Sequence, residues 1–125
     1  AAEALAGGRL PRGNRLAIVS NGTGPGALAA DAAEENHVEL AKLSDTTRAA
    51  LDAALPPNWS HANPVDVLAD SDADRMATAL KLLIDDRAND GVLVLFAPTP
   101  KVGAEQAARA MLPIAAAAEK PEQAS

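Results

Sequence analysis

With 125 residues, 48% of them hydrophobic, the chain can build one α/β core and is too short for two. One Trp, one Phe and no Tyr leave that core to Ala, Leu, Val and Ile. A formal charge of −6 with Lys and Arg scattered singly argues against a nucleic-acid surface, and no run approaches the ~18 apolar residues of a membrane span. The absence of Cys removes disulfides, thiolate nucleophiles and cysteine metal sites, and it fits a reducing compartment, the cytoplasm being the expected location.

Residues Ala1 to Asn14 are alanine-rich and then turn-rich, with Gly7-Gly8 and Pro11-Arg12-Gly13-Asn14, which reads as a short helical lead-in followed by a linker. A start at Ala1, with neither Met nor a signal-peptide pattern, reads as a fragment or a processed product. Arg15 to Ser20 carries an apolar run of strand length, the pattern of a central parallel strand. Asn21-Gly22-Thr23-Gly24-Pro25-Gly26 follows. Its three glycines permit left-handed backbone angles, and Pro25 suits the first turn of a helix expected to run from about Pro25 to Glu35. Backbone N–H groups and the positive end of the helix dipole would converge there, so an anion is one natural guest. A tight structural turn accounts for the pattern equally well. It matches neither the dinucleotide fingerprint nor a P-loop, since its glycines fall at 22, 24 and 26 and no Gly-Lys-Ser/Thr follows.

Val38 to Leu43 alternates apolar and polar residues, predicting a second strand nearer the sheet edge. Ser44 is a helix N-cap with Asp45 in the first turn, and Thr47, Leu51, Ala54 and Leu55 form the helix's inner side until Pro56-Pro57. Pro64 to Leu68 is a candidate short strand. Ser71 and Asp74 resemble a capping box before Met76, Leu80, Leu83 and Ile84 at helical spacing. Gly91 to Phe96 is the clearest buried strand. After Pro98-Thr99-Pro100, Gly103 to Ala118 reads as an alanine-rich helix with Ala104, Ala107, Ala108 and Met111 on one face and Pro113 at a kink. Alternating strands and helices imply a mainly parallel, doubly wound sheet with ligands at the carboxyl ends of its strands. The last helix calls for a further strand, so the sheet is expected either to be truncated at its carboxyl-terminal end or to be completed by a partner segment.

Several side chains invite a chemical role and are better explained otherwise. Ser60-His61-Ala62-Asn63-Pro64-Val65-Asp66 places Ser, His and Asp together in sequence, but a triad is defined by geometry, and a surface-loop histidine is the simpler reading of His61. His37 sits where it can meet a helix C-terminus. Two distant histidines without spaced carboxylates do not make a zinc site. Asp31 falls on a solvated helix position. Asp70, Asp72 and Asp74 lack the glycine and terminal Glu of a calcium loop and suit helix capping. Asp66 is placed either to cap the glycine turn or to lie near a ligand. No residue is assigned as catalytic and none as a metal ligand.

The order of these motifs carries more than any one of them. Arg15 to Gly26 with Ala29-Ala30-Asp31, then Glu39-Leu40-Ala41-Lys42-Leu43-Ser44, Leu55-Pro56-Pro57 and Asn63-Pro64-Val65-Asp66 closely resemble one segment of the NDP-forming acyl-CoA synthetases. That superfamily includes ADP-forming acetate–CoA ligase, succinyl-CoA synthetase and the synthetase-like half of protein lysine acetyltransferases. The resemblance spans about Leu10 to Leu112. It implies the second ligase domain, a flavodoxin-like (Rossmann-like) three-layer α/β unit over residues 15–118, with 1–14 as lead-in or linker and 119–125 as a tail or the start of the next strand. It also implies a phosphate- or ligand-binding set of Asn21, Gly22, Thr23, Gly24, Gly26, Asn63, Asp66 and Thr99. Members of the family shuttle a phosphohistidine between a ligase site and an ATP-grasp domain. That histidine lies in a Ser-His-Thr-Gly context on another domain, which His61 lacks. Instead this domain would supply a helix N-terminus near Pro98 to Gly103, where Ala97-Pro98-Thr99 replaces the Gly-Gly turn of succinyl-CoA synthetase. A proline there removes one donor N–H. The implied partners are CoA-binding, phosphohistidine-bearing and ATP-grasp domains of the same parent, with room for a homo-oligomer. CoA and ATP/ADP with Mg belong to the parent, and no cofactor is expected on this domain alone. The other expectation is a catalytically silent regulatory or structural module of a lysine acetyltransferase.

Overall fold

The computed structural model describes residues 3–7, 15–100 and 102–118. The linker expected over 8–14 and the tail over 119–125 lie outside them. Two apolar runs bounded by turns form the centre of the sheet, β2 (Arg15–Ser20) and β5 (Gly91–Phe96). They pair in parallel from Leu16↔Gly91 to Ser20↔Leu95. On the outer edge of β5 lies β1 (Glu3–Gly7), antiparallel, from Glu3↔Phe96 to Gly7↔Val92. The helical lead-in expected at the amino end is thus a strand here. In this fold the unpaired edge of β5 offers its backbone groups a ladder that an isolated short helix would not satisfy.

The other edge of β2 is shared. β3 (Glu39–Leu40) pairs with Arg15 and Leu16, and β4 (Val65–Asp66) pairs with Val19 and Ser20, both in parallel. They form an interrupted line, between whose halves the chain makes an excursion through α2 (Asp45–Ala54). The strand expected over Val38 to Leu43 is therefore two residues long.

Helices cover both faces. α1 (Thr23–Glu35) packs on β2, β3 and β4, while α3 (Ala73–Asp85) packs on β2, β5, α2 and α4 (Ala104–Ala118). Side-chain alternation along β2 serves the two layers. Ala17 and Val19 join Leu51, Trp59, Met76, Leu80, Leu83, Val92, Val94 and Met111 in one aliphatic cluster, and the fully buried Ile18 between them points to the α1 face. The helical faces read from sequence hold for Thr47, Leu51 and Leu55, for Met76, Leu80, Leu83 and Ile84, and for Ala107 and Met111, whereas Ala54 is exposed. Pro113 lies inside α4.

Helix ends follow local chemistry. Ser44 caps α2, its Oγ accepting from Thr47 N at 3.2 Å. α3 is capped by Asp72, whose Oδ1 accepts from Arg75 N at 2.8 Å; the cap lies one residue beyond the expected Ser71, whose Oγ donates to Asp72 O instead. α1 ends in a Schellman turn. Val38 N donates to Ala33 O and His37 N to Glu34 O, with His37 at φ 60°. His37 therefore closes the helix with its backbone. At the amino edge Arg15 grips Asp90 through Nε and Nη2 at 2.9 and 3.1 Å, a hydrogen bond and charge contact that raise the guanidinium pKa.

Candidate functional site

The order of the strands reverses between the parallel neighbours β2 and β5: from β2 the chain turns to β3 on one side, and β5 returns on the other. In open α/β sheets the crevice at the carboxyl ends of two such strands is where ligands bind. Here that crevice lies between the glycine segment after β2 and the Ala97–Gly103 segment after β5.

Asn21 ties the two segments together. It is buried, its Nδ2 donates to Ala97 O and its Oδ1 accepts from Ala97 N, both at 2.8 Å. The amide thus continues the β2–β5 ladder by one rung after the strands have diverged. Ser20, buried beside it, closes the turn: Gly22 N donates to Ser20 Oγ at 2.9 Å and Ser20 Oγ donates to Gly22 O at 2.7 Å. Ser20 was not singled out in the sequence, although a hydroxyl two residues before a glycine is a recognised turn signal.

The glycines work differently from the expectation. Gly22 is the N-cap of α1, extended at φ −157° and ψ 143°, and the helix begins at Thr23, so Gly24 and Gly26 are helical. Neither Gly22, Gly24 nor Gly26 has a positive φ. What glycine supplies is bareness. No side chain caps α1, a Cβ on Gly24 would meet nothing within 4 Å, and one on Gly26 would sit 3.5 Å from Pro64 Cβ. The N–H groups of Thr23 and Gly24 belong to the uncapped first turn, and Pro25, third in the helix, has none to offer.

Across the crevice, Thr99 closes its own loop. Thr99 N donates to Val102 O at 3.0 Å and Val102 N donates to Thr99 Oγ1 at 3.1 Å. Ala107 N donates to Gly103 O, which makes Gly103 the N-cap of α4, exposed and with open space where a Cβ would be. Two helices starting from glycine N-caps therefore follow the carboxyl ends of the neighbouring strands β2 and β5, which Asn21 and Ala97 tie together. Backbone donors and helix dipoles of this kind favour an anion.

Asn63 and Asp66 lie elsewhere in the arrangement. Asn63 Oδ1 accepts from Ile18 N at 2.9 Å, and its Nδ2 donates to Leu16 O and Ala41 O, both at 2.8 Å. Its amide fills the gap between β3 and β4, with both of its N–H groups used within the fold. Asp66 Oδ1 accepts from Leu68 N at 2.8 Å, closing the turn after β4, where Leu68 sits at φ 77°. Asp70 pairs with Arg75 at 2.8 Å. Among the described residues no group of three His, Cys, Asp or Glu side chains is placed to hold a metal ion.

This architecture, a mainly parallel sheet with helices on both faces and a crevice at its reversal point, defines a flavodoxin-like α/β domain. No family model matches the chain. It is 36% identical over 101 residues to acetate–CoA ligase [ADP-forming] I of Archaeoglobus fulgidus, covering 81% of this chain and 15% of that protein. It is 37% identical over 91 residues to the α-subunit of acetate–CoA ligase [ADP-forming] II of Pyrococcus furiosus, covering 73% and 20%. The chain belongs to the NDP-forming acyl-CoA synthetase superfamily. Among solved structures, the fold is shared with the dinucleotide-forming acetyl-coenzyme A synthetase 1 of Ca. Korarchaeum cryptofilum, at a TM-score of 0.79 and 23% identity, over 86% of this chain and 24% of that one. The same protein has been solved in complex with phosphate and ADP. The chain spans at most about a fifth of the length of the two ligases above.

Proposed function

We propose that this chain acts as the second flavodoxin-like ligase domain of an ADP-forming acyl-CoA synthetase, and that its crevice forms one wall of a phosphate or acyl-phosphate site shared with neighbouring domains. The observation that carries the reading is the Asn21–Ala97 pair, which ties the lead-in to the glycine-capped α1 to the end of β5 in a chain more than a third identical to two ADP-forming acetate–CoA ligases. The backbone N–H groups of Thr23 and Gly24 would bind the phosphate, with Gly22 and Gly24 keeping the approach free of side chains and Gly26 letting α1 lie close to Pro64 and Ser20. Thr99 would orient the opposite wall, and Asp66 would shape the crevice from the β4 side. Phosphate fits this donor set. CoA, ATP/ADP and Mg are assigned to the other domains of the parent, CoA-binding, phosphohistidine-bearing and ATP-grasp. The acetyltransferase-module reading draws no support from the relatives, which are named as ligases.

Labelled ATP added to the polypeptide that carries this domain together with an ATP-grasp domain should yield acid-labile phosphohistidine under turnover. Its absence overturns the ligase reading. The 125-residue chain alone should show no calorimetric binding of CoA or ATP, and a micromolar Kd for either would overturn the division of labour between domains.

A further inference from the structure

The helices do not all meet solvent in the same way. α3 exposes Asp74, Thr78, Lys81 and Asp85, one polar side at helical spacing. α2 exposes Asp45, Arg48 and Asp52 in the same manner. α1 differs. It turns Gly26 and Ala33 inward, where Gly26 lies against Pro64 and Ser20. Leu28 stands roughly 200° round the helix from Gly26, in a stripe with Gly24 and Ala32, all three exposed and each one turn from the next. Among the described residues two large apolar side chains are exposed, Leu28 at 71% and Leu112 of α4 at 52%.

One exposed leucine is ordinary on a water-facing surface. A half-helix with no charge on any side is not. From Thr23 to Ala30 α1 has neither an acid nor a base, the composition of a helix covered on both sides. Its three charges follow in the second half. Asp31, Glu34 and Glu35 are acidic and exposed, and among the described residues none of them forms an ion pair.

Those charges restrict what can cover the stripe. A second copy of the same face would bring three carboxylates against three, with no Lys or Arg on either α1 to offset them. The complement is an apolar surface edged with Lys or Arg. The stripe also begins at the bare first turn, with Gly24 at its head. A body that carries a phosphate to the N–H groups of Thr23 and Gly24 along the open side of α1 meets Leu28 and Ala32 next. The chain matches at most about a fifth of the length of the two acetate–CoA ligases, and a parent of that size has further domains to place there.

We propose, resting on the reading of this chain as one domain of a larger synthetase, that the outward side of α1 seats a neighbouring domain of the same parent. Gly24, Leu28 and Ala32 form the apolar floor of the seat, and Asp31, Glu34 and Glu35 form a border that meets Lys or Arg of the neighbour. The docked domain shields Leu28 from water, while the outer side of α3 stays in solvent.

The chain contains no Cys, so one thiol can be placed as a reporter. Leu28→Cys should leave the urea midpoint of the 125-residue chain unchanged, and in that chain maleimide should label it as fast as Thr78→Cys on α3. In the polypeptide carrying the neighbouring ligase domains, with the labelled peptide read by mass spectrometry, position 28 should slow roughly tenfold or more, set by the fraction of time the neighbour is away. Thr78→Cys should keep its rate. Asp31→Lys, added beside Leu28→Cys, should return position 28 toward the fast rate, because the border then repels basic side chains. Fast labelling at position 28 in the longer polypeptide, or equal slowing at 28 and 78, would overturn the seat, and protection untouched by Asp31→Lys would overturn its basic complement. Protection that appears in the 125-residue chain as its concentration rises would assign the stripe to a second copy instead, against the proposal. Labelling requires neither ATP nor phosphohistidine. Slow labelling in a polypeptide that forms no phosphohistidine therefore keeps the seat and loses the ligase reading, and fast labelling in one that does form it loses the seat alone.

Discussion

The side-chain amide of Asn21 and the backbone of Ala97 form a closed pair, donating and accepting at 2.8 Å. The pair joins residues 76 positions apart and holds the lead-in to α1 against the end of β5. Replacing Asn21 by Ala removes both bonds and leaves Ala97 N–H and C=O without their partner in a partly buried place. Each such group costs on the order of 1 kcal/mol or more, so Asn21→Ala should lower unfolding stability by about 2–3 kcal/mol in a urea titration. Asn21→Asp should restore little of it, because a carboxylate oxygen would then face Ala97 O.

Asn63 performs the same service on the other side of β2, with three partners instead of two. Asn63→Ala breaks the bridge across the interrupted β3–β4 line and leaves Ile18 N and Ala41 O to be satisfied by water in a tight space, while Leu16 O keeps its bond from Ala41 N. The expected loss is about 2–3 kcal/mol, similar to that for Asn21→Ala. Amide exchange should show Ile18 among the sites that lose most protection. Unchanged stability with full protection at Ile18 would contradict the bridging role.

The two asparagines also mark where sequence reasoning stopped. β2, β5 and α3 were legible because their apolar residues follow one period over a full element and end at turn residues, as in Gly91–Phe96. The strand–helix alternation also places the ends of β2 and β5 side by side, as the structure has them. An amide that takes a strand's place leaves no periodic trace, however. The bridging part that Asn63 plays is therefore absent from the sequence pattern, and the edge strand expected over Val38 to Leu43 is only Glu39–Leu40, since its length is set by the amide that follows it in space. The glycines misled in another way: their composition signalled left-handed turns, but an extended N-cap followed by a helical turn uses glycine for the absence of a side chain rather than for φ.

Acid sensitivity should trace to Asp86, which is buried at the carboxyl end of α3. Burial alone works against its ionisation. The N–H groups of Ala88 and Ser44 and the hydroxyls of Thr47 and Ser44 outweigh that and hold its pKa below the ordinary 3.8. A carboxyl whose folded pKa is depressed stabilises the fold above its unfolded pKa, and that stability is lost as pH falls through the folded value. Unfolding free energy should therefore be insensitive to this group at neutral pH and decline below about pH 4. Asp86→Asn should be less stable than wild type at pH 7, with the difference shrinking toward pH 2. A constant difference across that range would rule out the assignment.

Gly24 separates folding from function. It is exposed in the first turn of α1, has no positive φ, and a Cβ there would meet nothing within 4 Å. A glycine in a helix is entropically costly where nothing requires it, so Gly24→Ala should stabilise the 125-residue chain by about 0.5–1 kcal/mol. If the bare first turn exists for the close approach of a phosphate, the same methyl should weaken phosphate-dependent turnover in the polypeptide carrying the neighbouring ligase domains, raising KM for phosphate several-fold in the ATP-forming direction, where acyl-CoA, ADP and phosphate are the substrates, while thermal stability rises. Gly26→Ala, whose Cβ would make ordinary contacts with Pro64 and Ser20 at 3.5 and 3.7 Å, provides the comparison within the same turn. Stabilisation by Gly24→Ala without any change in phosphate dependence would remove this turn from the site and leave its glycines unexplained by either folding or binding.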